Sequence, residues 1–209
     1  MYKCFYACII ASALACGCAS KASKNPLSQY YYRHPDTDIR QVGATILLEL
    51  ENKSEVASIS EEATDALFLS MQHSGLLGMS VIRQSDPEWD ELELYNFKKY
   101  TLEQLADIRT SLHCKAVLSG TITTFTPYPH LKVGLRLKLT DISNSTTHWA
   151  FEYIWDTADE ATRKRIEKFY TQKNILGLPA SKDRLGTVSS KKFLRFVAYE
   201  TSQTLGPKK

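Results

Sequence analysis

The sequence predicts an α/β fold of the α+β type, with one mixed β-sheet of about five strands and helices packed on it. A near-continuous apolar run over 42–50 is typical of a strand covered on both faces. Helix-start patterns of the Ser/Thr-x-x-Glu/Gln type occur at Ser58 and Thr101, and apolar residues at helical spacing follow each. Strict apolar–polar alternation over 131–140 indicates a half-buried strand.

Composition limits the class of protein. The chain has 209 residues, a length that fits one domain, and it is 43% hydrophobic and 23% charged. These fractions exclude a disordered or low-complexity protein. The net charge of +3 is too small to indicate a nucleic-acid partner, so none is predicted.

The first half of the body alternates strand and helix. After the strand at 42–50, a capping box at Ser58 begins a helix that Gly75 ends. A short strand over 79–83 follows, and a second capping box at Thr101 begins the next helix.

The second half turns to antiparallel strands. A strand over 114–125 precedes the alternating strand at 131–140, whose polar face is cationic. A turn then leads to a strand over 148–155 with four aromatic residues on one face, and the two form a hairpin. Helices over 159–170 and 189–205 complete the order β-α-β-α-β-β-β-α-α in one domain.

The amino-terminal segment has the pattern of an export leader. Lys3 supplies one positive charge, and residues 4–15 contain no charged side chain. This apolar run is shorter than the roughly 20 residues that cross a bilayer. Four of the five cysteines, Cys4, Cys8, Cys16 and Cys18, lie in or at the end of this segment, which is no disulfide framework.

Small residues precede both Cys16 and Cys18, as in a lipobox, where a cysteine receives diacylglyceryl and becomes the mature amino terminus. Neither has the favoured leucine three residues earlier, and Gly17 slightly favours Cys18. The alternatives are a plain signal peptide and a retained leader that acts as an anchor. Two or three acyl chains such as palmitate hold a protein on a membrane essentially permanently. The residue after Cys18 is Ala19 rather than an aspartate, which indicates sorting of the lipoprotein to the outer membrane.

These patterns divide the chain into three parts. Residues 1–17 are the predicted lipoprotein signal peptide, and residues 42–209 are the single globular domain. Residues 18–41 are polar, interrupted by proline and without a hydrophobic period, so we interpret them as a flexible tether.

The body resembles a family of bacterial envelope lipoproteins. The residues that carry this resemblance are Ile-Ser-Glu-Glu-Ala-Thr-Asp-Ala-Leu at 59–67, Ser-Val-Ile-Arg at 80–83, Ala-Val-Leu-Ser-Gly-Thr-Ile-Thr at 116–123 and Leu-Lys-Leu-Thr-Asp-Ile-Ser-Asn-Ser-Thr-Thr-His-Trp at 137–149. The family comprises the curli-secretion lipoprotein, the penicillin-binding-protein activator lipoprotein and the amino-terminal domain of the Tol-Pal periplasmic protein. The resemblance covers about residues 42–155 and implies an accessory protein of the bacterial envelope. Together with the lipobox and Ala19, this predicts a lipid-anchored protein on the periplasmic face of the outer membrane. The family's usual hairpin-turn glycine is absent at 143–145, and no pore-forming hairpin pair is identified.

The sequence contains no recognisable catalytic set, so no catalytic residue, cofactor or metal site is predicted. No pair of histidines shares a helix face, and neither a Gly-x-Ser-x-Gly elbow nor a glycine-rich phosphate loop occurs. Cys114 opens a core strand, where a buried, unreactive thiol is the expected state. Asp36 and Asp38 lie in the predicted tether, where carboxylates are usually solvated.

Two partner surfaces are predicted. One is the cationic stripe of Lys132, Arg136 and Lys138, for which the alternative is a solvated strand face with lysines that protect an edge. The other is the loop 86–97, in which carboxylates alternate with aromatic residues, namely Trp89, Tyr95 and Phe97. Its alternative is a lid whose aromatic side chains complete the core.

Three functions follow from these patterns. The first is a non-enzymatic, membrane-anchored docking or accessory subunit in an envelope assembly, secretion or cell-wall-synthesis complex, with an envelope protein as its partner. The second is a periplasmic carrier or sensor of a small ligand, and the third is a hydrolase with an unrecognised site. The sequence leaves open whether identical copies associate.

Overall fold

The computed structural model describes residues 26–95, 100–171 and 189–206. Its seven strands are β1 Tyr31–Arg33, β2 Ala44–Leu48, β3 Glu51–Asn52, β4 Gly78–Ile82, β5 Ala116–Thr126, β6 Lys132–Asp141 and β7 Thr147–Asp156. The helices are α1 Ile59–Ser74, α2 Pro87–Glu91, α3 Leu102–Leu112, α4 Glu160–Thr171 and α5 Ser190–Gln203, with a 3₁₀ turn at Ile39–Gln41. The predicted fold class is confirmed. Two strands and the short α2 were not predicted.

One mixed sheet contains all seven strands. Its order is β1-β7-β6-β5-β2-β4, and β3 pairs with β5 beyond the end of β2. Strand β2 is parallel to both β4 and β5, whereas β5, β6, β7 and β1 are successively antiparallel. The predicted hairpin is therefore confirmed as β6–β7.

The two predicted helix starts differ in their capping chemistry. Thr101 Oγ1 accepts from the Gln104 backbone N–H, and Gln104 Oε1 accepts from the Thr101 N–H, which completes the predicted capping box. Helix α1 also begins where predicted, but Ser58 has helical backbone angles and makes no side-chain capping bond. The capping-box prediction is therefore wrong at Ser58. Gly75 ends α1 in the left-handed conformation at φ 62°, as predicted.

The sheet separates two hydrophobic clusters, and β2 contributes to both. Leu47 packs with α1, α4, α5 and the aromatic side of β7, whereas Ile46 and Leu48 pack under α3. This division explains the continuous apolar run of the first predicted strand, since both of its faces are covered. Removing one such leucine or isoleucine side chain from water stabilises the fold by about 1.5–3 kcal/mol.

The folded domain includes residues that the sequence assigned to the tether. Leu27 is 1% exposed and Ile39 3% exposed. Strand β1 pairs antiparallel with β7, with Tyr31 opposite Phe151. Residues 26–41 are therefore part of the domain, because they cover the outer edge of β7. A strand of three residues is too short to show a hydrophobic period, and residues 18–25 lie outside the described residues.

Within the described ranges, no helix combines the length and the apolar character needed to cross a membrane.

Candidate functional site

A crevice opens at the carboxyl ends of the parallel strands. Strands β4 and β5 flank β2 on opposite sides, while α1 and α3 cover opposite faces of the sheet. In open α/β sheets, ligands bind in the crevice outside the carboxyl ends of the strands. The crevice lies between two neighbouring strands whose connections run to opposite sides of the sheet. The crevice here has a volume of about 560 Å³.

Two carboxylates in the crevice are held by hydrogen bonds. Glu49, just after β2, accepts from the Gln84 backbone N–H at 2.9 Å. Glu51 of β3 accepts from Thr121 Oγ1 at 2.8 Å, and Lys53 Nζ lies 3.9 Å from its other oxygen. These bonds fix where negative charge is presented, so the crevice is preorganised for hydrogen-bond donors or cations.

The described part of the predicted loop, residues 86–95, contributes one wall of the crevice. Its first part is α2, with Asp86 Oδ2 accepting from the Arg83 N–H at 2.8 Å. Trp89 is half-buried against the second hydrophobic cluster, which is the one that Ile46 and Leu48 form under α3. Leu94 is 2% exposed. Tyr95 also lines the crevice and is 61% exposed.

Trp89 therefore helps to complete the core, as the lid interpretation predicts, whereas the Tyr95 side chain is exposed to solvent. Phe97 lies outside the described residues. The partner role predicted for these three aromatic side chains remains a prediction.

The chemistry of the crevice suits binding. Its described lining contains carboxylates, amides, hydroxyls and two aromatic rings, but no histidine, cysteine or lysine. Ser60, one of the lining hydroxyls, is buried and donates to the Leu50 carbonyl at 2.5 Å. This arrangement offers hydrogen-bond acceptors and stacking surfaces without a nucleophile paired to a base. The sequence did not reveal this site, because its walls come from segments far apart in the chain.

The predicted cationic stripe is largely neutralised by β7. Lys132 Nζ lies 2.9 Å from Asp156, and Arg136 makes two hydrogen bonds to Glu152, at 2.9 and 2.6 Å. The bond from Arg136 lowers the pKa of Glu152. Lys138 is exposed, and no ion pair to another described residue was found for it. Carboxylates of β7 thus neutralise two of the three positive charges that the sequence of β6 alone led us to expect on this face. A partner role for the stripe remains a prediction.

A hydroxyl, an imidazole and a carboxylate meet near the β6–β7 turn. His148 Nε2 lies 3.3 Å from Asp141 Oδ2, and His148 Nδ1 lies 3.0 Å from Thr37 Oγ1. The His148 carbonyl also accepts from the His34 N–H at 2.9 Å. These contacts tie the amino-terminal segment to β7, and we assign them this structural role.

Three further features of the sequence concern the buried cysteine, metal binding and the lipidation sites. Cys114 is 2% exposed, and burial raises its pKa to about 11, so it is a protonated thiol at neutral pH. Among the described residues, no group of three histidine, cysteine or acidic side chains could hold a metal ion. Cys16 and Cys18, the predicted lipidation sites, lie outside the described residues.

Comparison with known proteins gives structural neighbours only. No protein-family model matches the sequence, and no curated protein matches it. A PelC dodecamer structure from Paraburkholderia phytofirmans has a TM-score of 0.48 and 12% identity, over 79% of this chain and 90% of that chain. Lipoprotein GNA1162 from Neisseria meningitidis has a TM-score of 0.40 and 13% identity, over 54% and 78%. The LpoB C-terminal domain from Salmonella enterica has a TM-score of 0.38 and 14% identity, over 54% and 82%.

The structural neighbours thus include a lipoprotein and the LpoB C-terminal domain. Because the identity is 14% or lower and the TM-score 0.48 or lower in all three, no family membership follows.

Proposed function

We propose that this protein is a lipid-anchored, non-enzymatic subunit of the bacterial envelope that docks a partner protein close to the membrane. The observation that carries the proposal is the apolar leader that ends in Cys16-Gly17-Cys18, only a few residues before the folded domain. The absence of a recognisable catalytic set in the sequence supports a binding role over an enzymatic one.

The length of chain between anchor and domain limits where the partner lies. Leu27, the first buried side chain among the described residues, follows Cys18 by nine residues and Cys16 by eleven. A fully extended chain spans at most about 3.5 Å per residue, so Leu27 stays within about 30–40 Å of the anchored cysteine. The amino-terminal edge of the domain therefore stays near the membrane surface. Placement on the periplasmic face of the outer membrane rests on Ala19, as above.

The lipid anchor is tested by serine substitution. We expect the double variant Cys16→Ser, Cys18→Ser to leave the membrane fraction and to lose the acyl mass seen in the wild type by intact-mass spectrometry. The two single variants identify the modified residue. Cys114→Ser is the matched control and should stay in the membrane fraction. An unmodified amino terminus in the wild-type protein would refute the anchor.

The docking role is tested by site-specific photo-crosslinking in intact cells. A crosslinker at Tyr95 should give one reproducible protein adduct, because this ring is exposed at the mouth of the crevice. Aromatic side chains are enriched at the centres of protein interfaces. The control position is Tyr128, which is 82% exposed and does not line the crevice. If position 95 captures no protein, or if both positions capture the same set, the crevice is not the docking surface.

The crevice also supports a second candidate function, a small-ligand carrier or sensor. Its volume of about 560 Å³ falls in the usual range of small-molecule sites, roughly 300–1,000 Å³. Native mass spectrometry of gently purified protein separates the two functions. A bound small molecule of constant mass that is lost in Tyr95→Ala would favour the carrier, whereas a mass without adduct favours docking.

A further inference from the structure

A second groove lies on the helical side of the sheet, between α1 and α5. Its volume is about 390 Å³. The α1 residues that line it share one face of the helix and are Glu62, Asp65, Ala66, Leu69, Ser70 and His73. From α5 come Lys191, Leu194 and Arg195. The shape is preformed, because Ser70 Oγ and Ser202 Oγ join the two helices at 3.1 Å.

The floor of the groove is apolar and partly open. Leu194 is 2% exposed and Ala66 half-buried, whereas Leu69 is 57% exposed. One exposed leucine is ordinary on a protein surface. Leu69 lies on the α1 rim, seven residues after Glu62 and four after Asp65, so an occupant that pairs with this rim would also contact it.

The two rims carry opposite charges. Glu62 and Asp65 form the α1 rim, and Lys191 and Arg195 form the α5 rim. Asp65 pairs with Arg83 on its outer side at 2.7 Å. Among the described residues, no ion pair within 4.0 Å joins one rim to the other. Glu62 on one rim and Lys191 and Arg195 on the other are therefore available to an occupant that carries the complementary charge on each flank.

The walls determine which backbone the occupant has. Both walls are helices, whose backbone groups are bonded internally, so the groove offers no strand edge to an extended peptide. The groove therefore favours an occupant that satisfies its own backbone hydrogen bonds, as a helix does. The α1 wall contains the twelve residues from Glu62 to His73, whose ends lie about 16.5 Å apart at 1.5 Å per residue, which is three turns.

We propose that this groove binds an amphipathic helix of a partner protein. The helix has at least three turns and apolar residues at i, i+4 and i+7 that cover Leu69. Basic side chains on one flank pair with Glu62, and acidic side chains on the other flank pair with Lys191 and Arg195. This surface is separate from the crevice and does not depend on the lipid anchor.

The test uses two synthetic 18-residue peptides with the same leucine stripe. One has lysines along one flank and glutamates along the other, and the second has lysines along both. Binding to the full chain in nanodiscs of zwitterionic lipid is measured by fluorescence anisotropy, with empty nanodiscs as the blank. We expect the wild-type protein to bind the first peptide at least tenfold more tightly than the second. The variant Lys191→Glu, Arg195→Glu has two acidic rims and should reverse this preference.

Leucine variants test the floor. Leu69→Glu should weaken binding of the first peptide at least tenfold without changing the Tm, because the side chain is already largely exposed. Leu102→Glu is the matched control, since Leu102 is 72% exposed on α3 and should leave binding unchanged. The proposal is overturned if the first peptide shows no saturable binding or if rim reversal leaves the preference unchanged. It is also wrong if the wild type is a dimer that Leu69→Glu dissociates, since a second copy then covers the groove.

Discussion

Arg165 of α4 donates from Nε to Glu200 Oε1 of α5 at 2.8 Å, and the two side chains are only 19% and 11% exposed. The other oxygen of Glu200 accepts from the indole of Trp155 at 2.7 Å. One carboxylate therefore holds α4, α5 and β7 together. Burial by itself lowers the pKa of Arg165, but Glu200 outweighs it, so the net pKa is raised.

Loss of this carboxylate should be costly. Glu200→Ala leaves a largely buried guanidinium and an indole N–H without their acceptor, and we expect a loss of about 3 kcal/mol in the free energy of unfolding. Glu160→Ala is the matched control, because its pair with Lys164 is exposed on one helix surface and should contribute less than about 0.5 kcal/mol. Urea denaturation of both variants measures the difference. Equal losses would show that Glu200 acts as a surface residue.

Gly120 is required by a close approach inside the sheet. A Cβ atom there would lie 2.3 Å from Leu137 Cδ2 and 2.8 Å from the Arg136 carbonyl oxygen. Gly120→Ala should therefore destabilise the domain by about 1–3 kcal/mol through overpacking. At Gly78, a Cβ would meet nothing within 4 Å, so Gly78→Ala should be near neutral. Thermal unfolding compares the two, and an unchanged Tm in Gly120→Ala would contradict the prediction.

Alanine substitutions at Trp89 and Tyr95 should differ in their effect on the free energy of unfolding. Trp89 packs on the second hydrophobic cluster, so Trp89→Ala should lower the free energy of unfolding by about 1–3 kcal/mol. Tyr95 is 61% exposed, and Tyr95→Ala should change stability by less than about 0.5 kcal/mol. Only the tyrosine variant is then suitable for binding assays. A large loss of stability in Tyr95→Ala would place that ring in the core.

The carboxylate of Asp141 should make stability depend on acid pH. Burial raises the pKa of Asp141, but bonds from Ser143 and His148 outweigh it, and the net pKa is lowered. An aspartate whose folded pKa lies below its unfolded value of about 3.9 stabilises the fold above that pH. This contribution is lost as pH falls through the folded pKa. The stability difference between the wild type and Asp141→Asn should therefore shrink as the pH falls below about 4. Urea titrations at each pH measure it, and a difference that persists to pH 3 would refute the assignment.

The long elements of the fold were predictable because their patterns are local. Five strands and four helices appear where periodicity and turn residues placed them, since each pattern depends on residues a few positions apart. The short elements were missed for the same reason. Strand β1 has three residues and β3 has two, lengths at which no period can be recognised.

The site was predictable only in part. The loop 86–97 was predicted as either a partner surface or a lid on the core, because whether each ring faces the core or the solvent depends on what packs beneath it. Trp89 lies over the second cluster and Tyr95 does not, a difference that their common aromatic–acidic pattern does not contain.

The sequence by itself determined the alternation of strands and helices and the hairpin. The leader with its two candidate lipid-bearing cysteines remains a prediction from the sequence. Only the tertiary structure placed Glu152 beside Arg136, Gln84 beside Glu49, and the acidic rim of α1 opposite the basic rim of α5. These relationships depend on strand order and on the helix packing across the sheet. Such contacts join residues separated by many positions, and no short-range pattern encodes them.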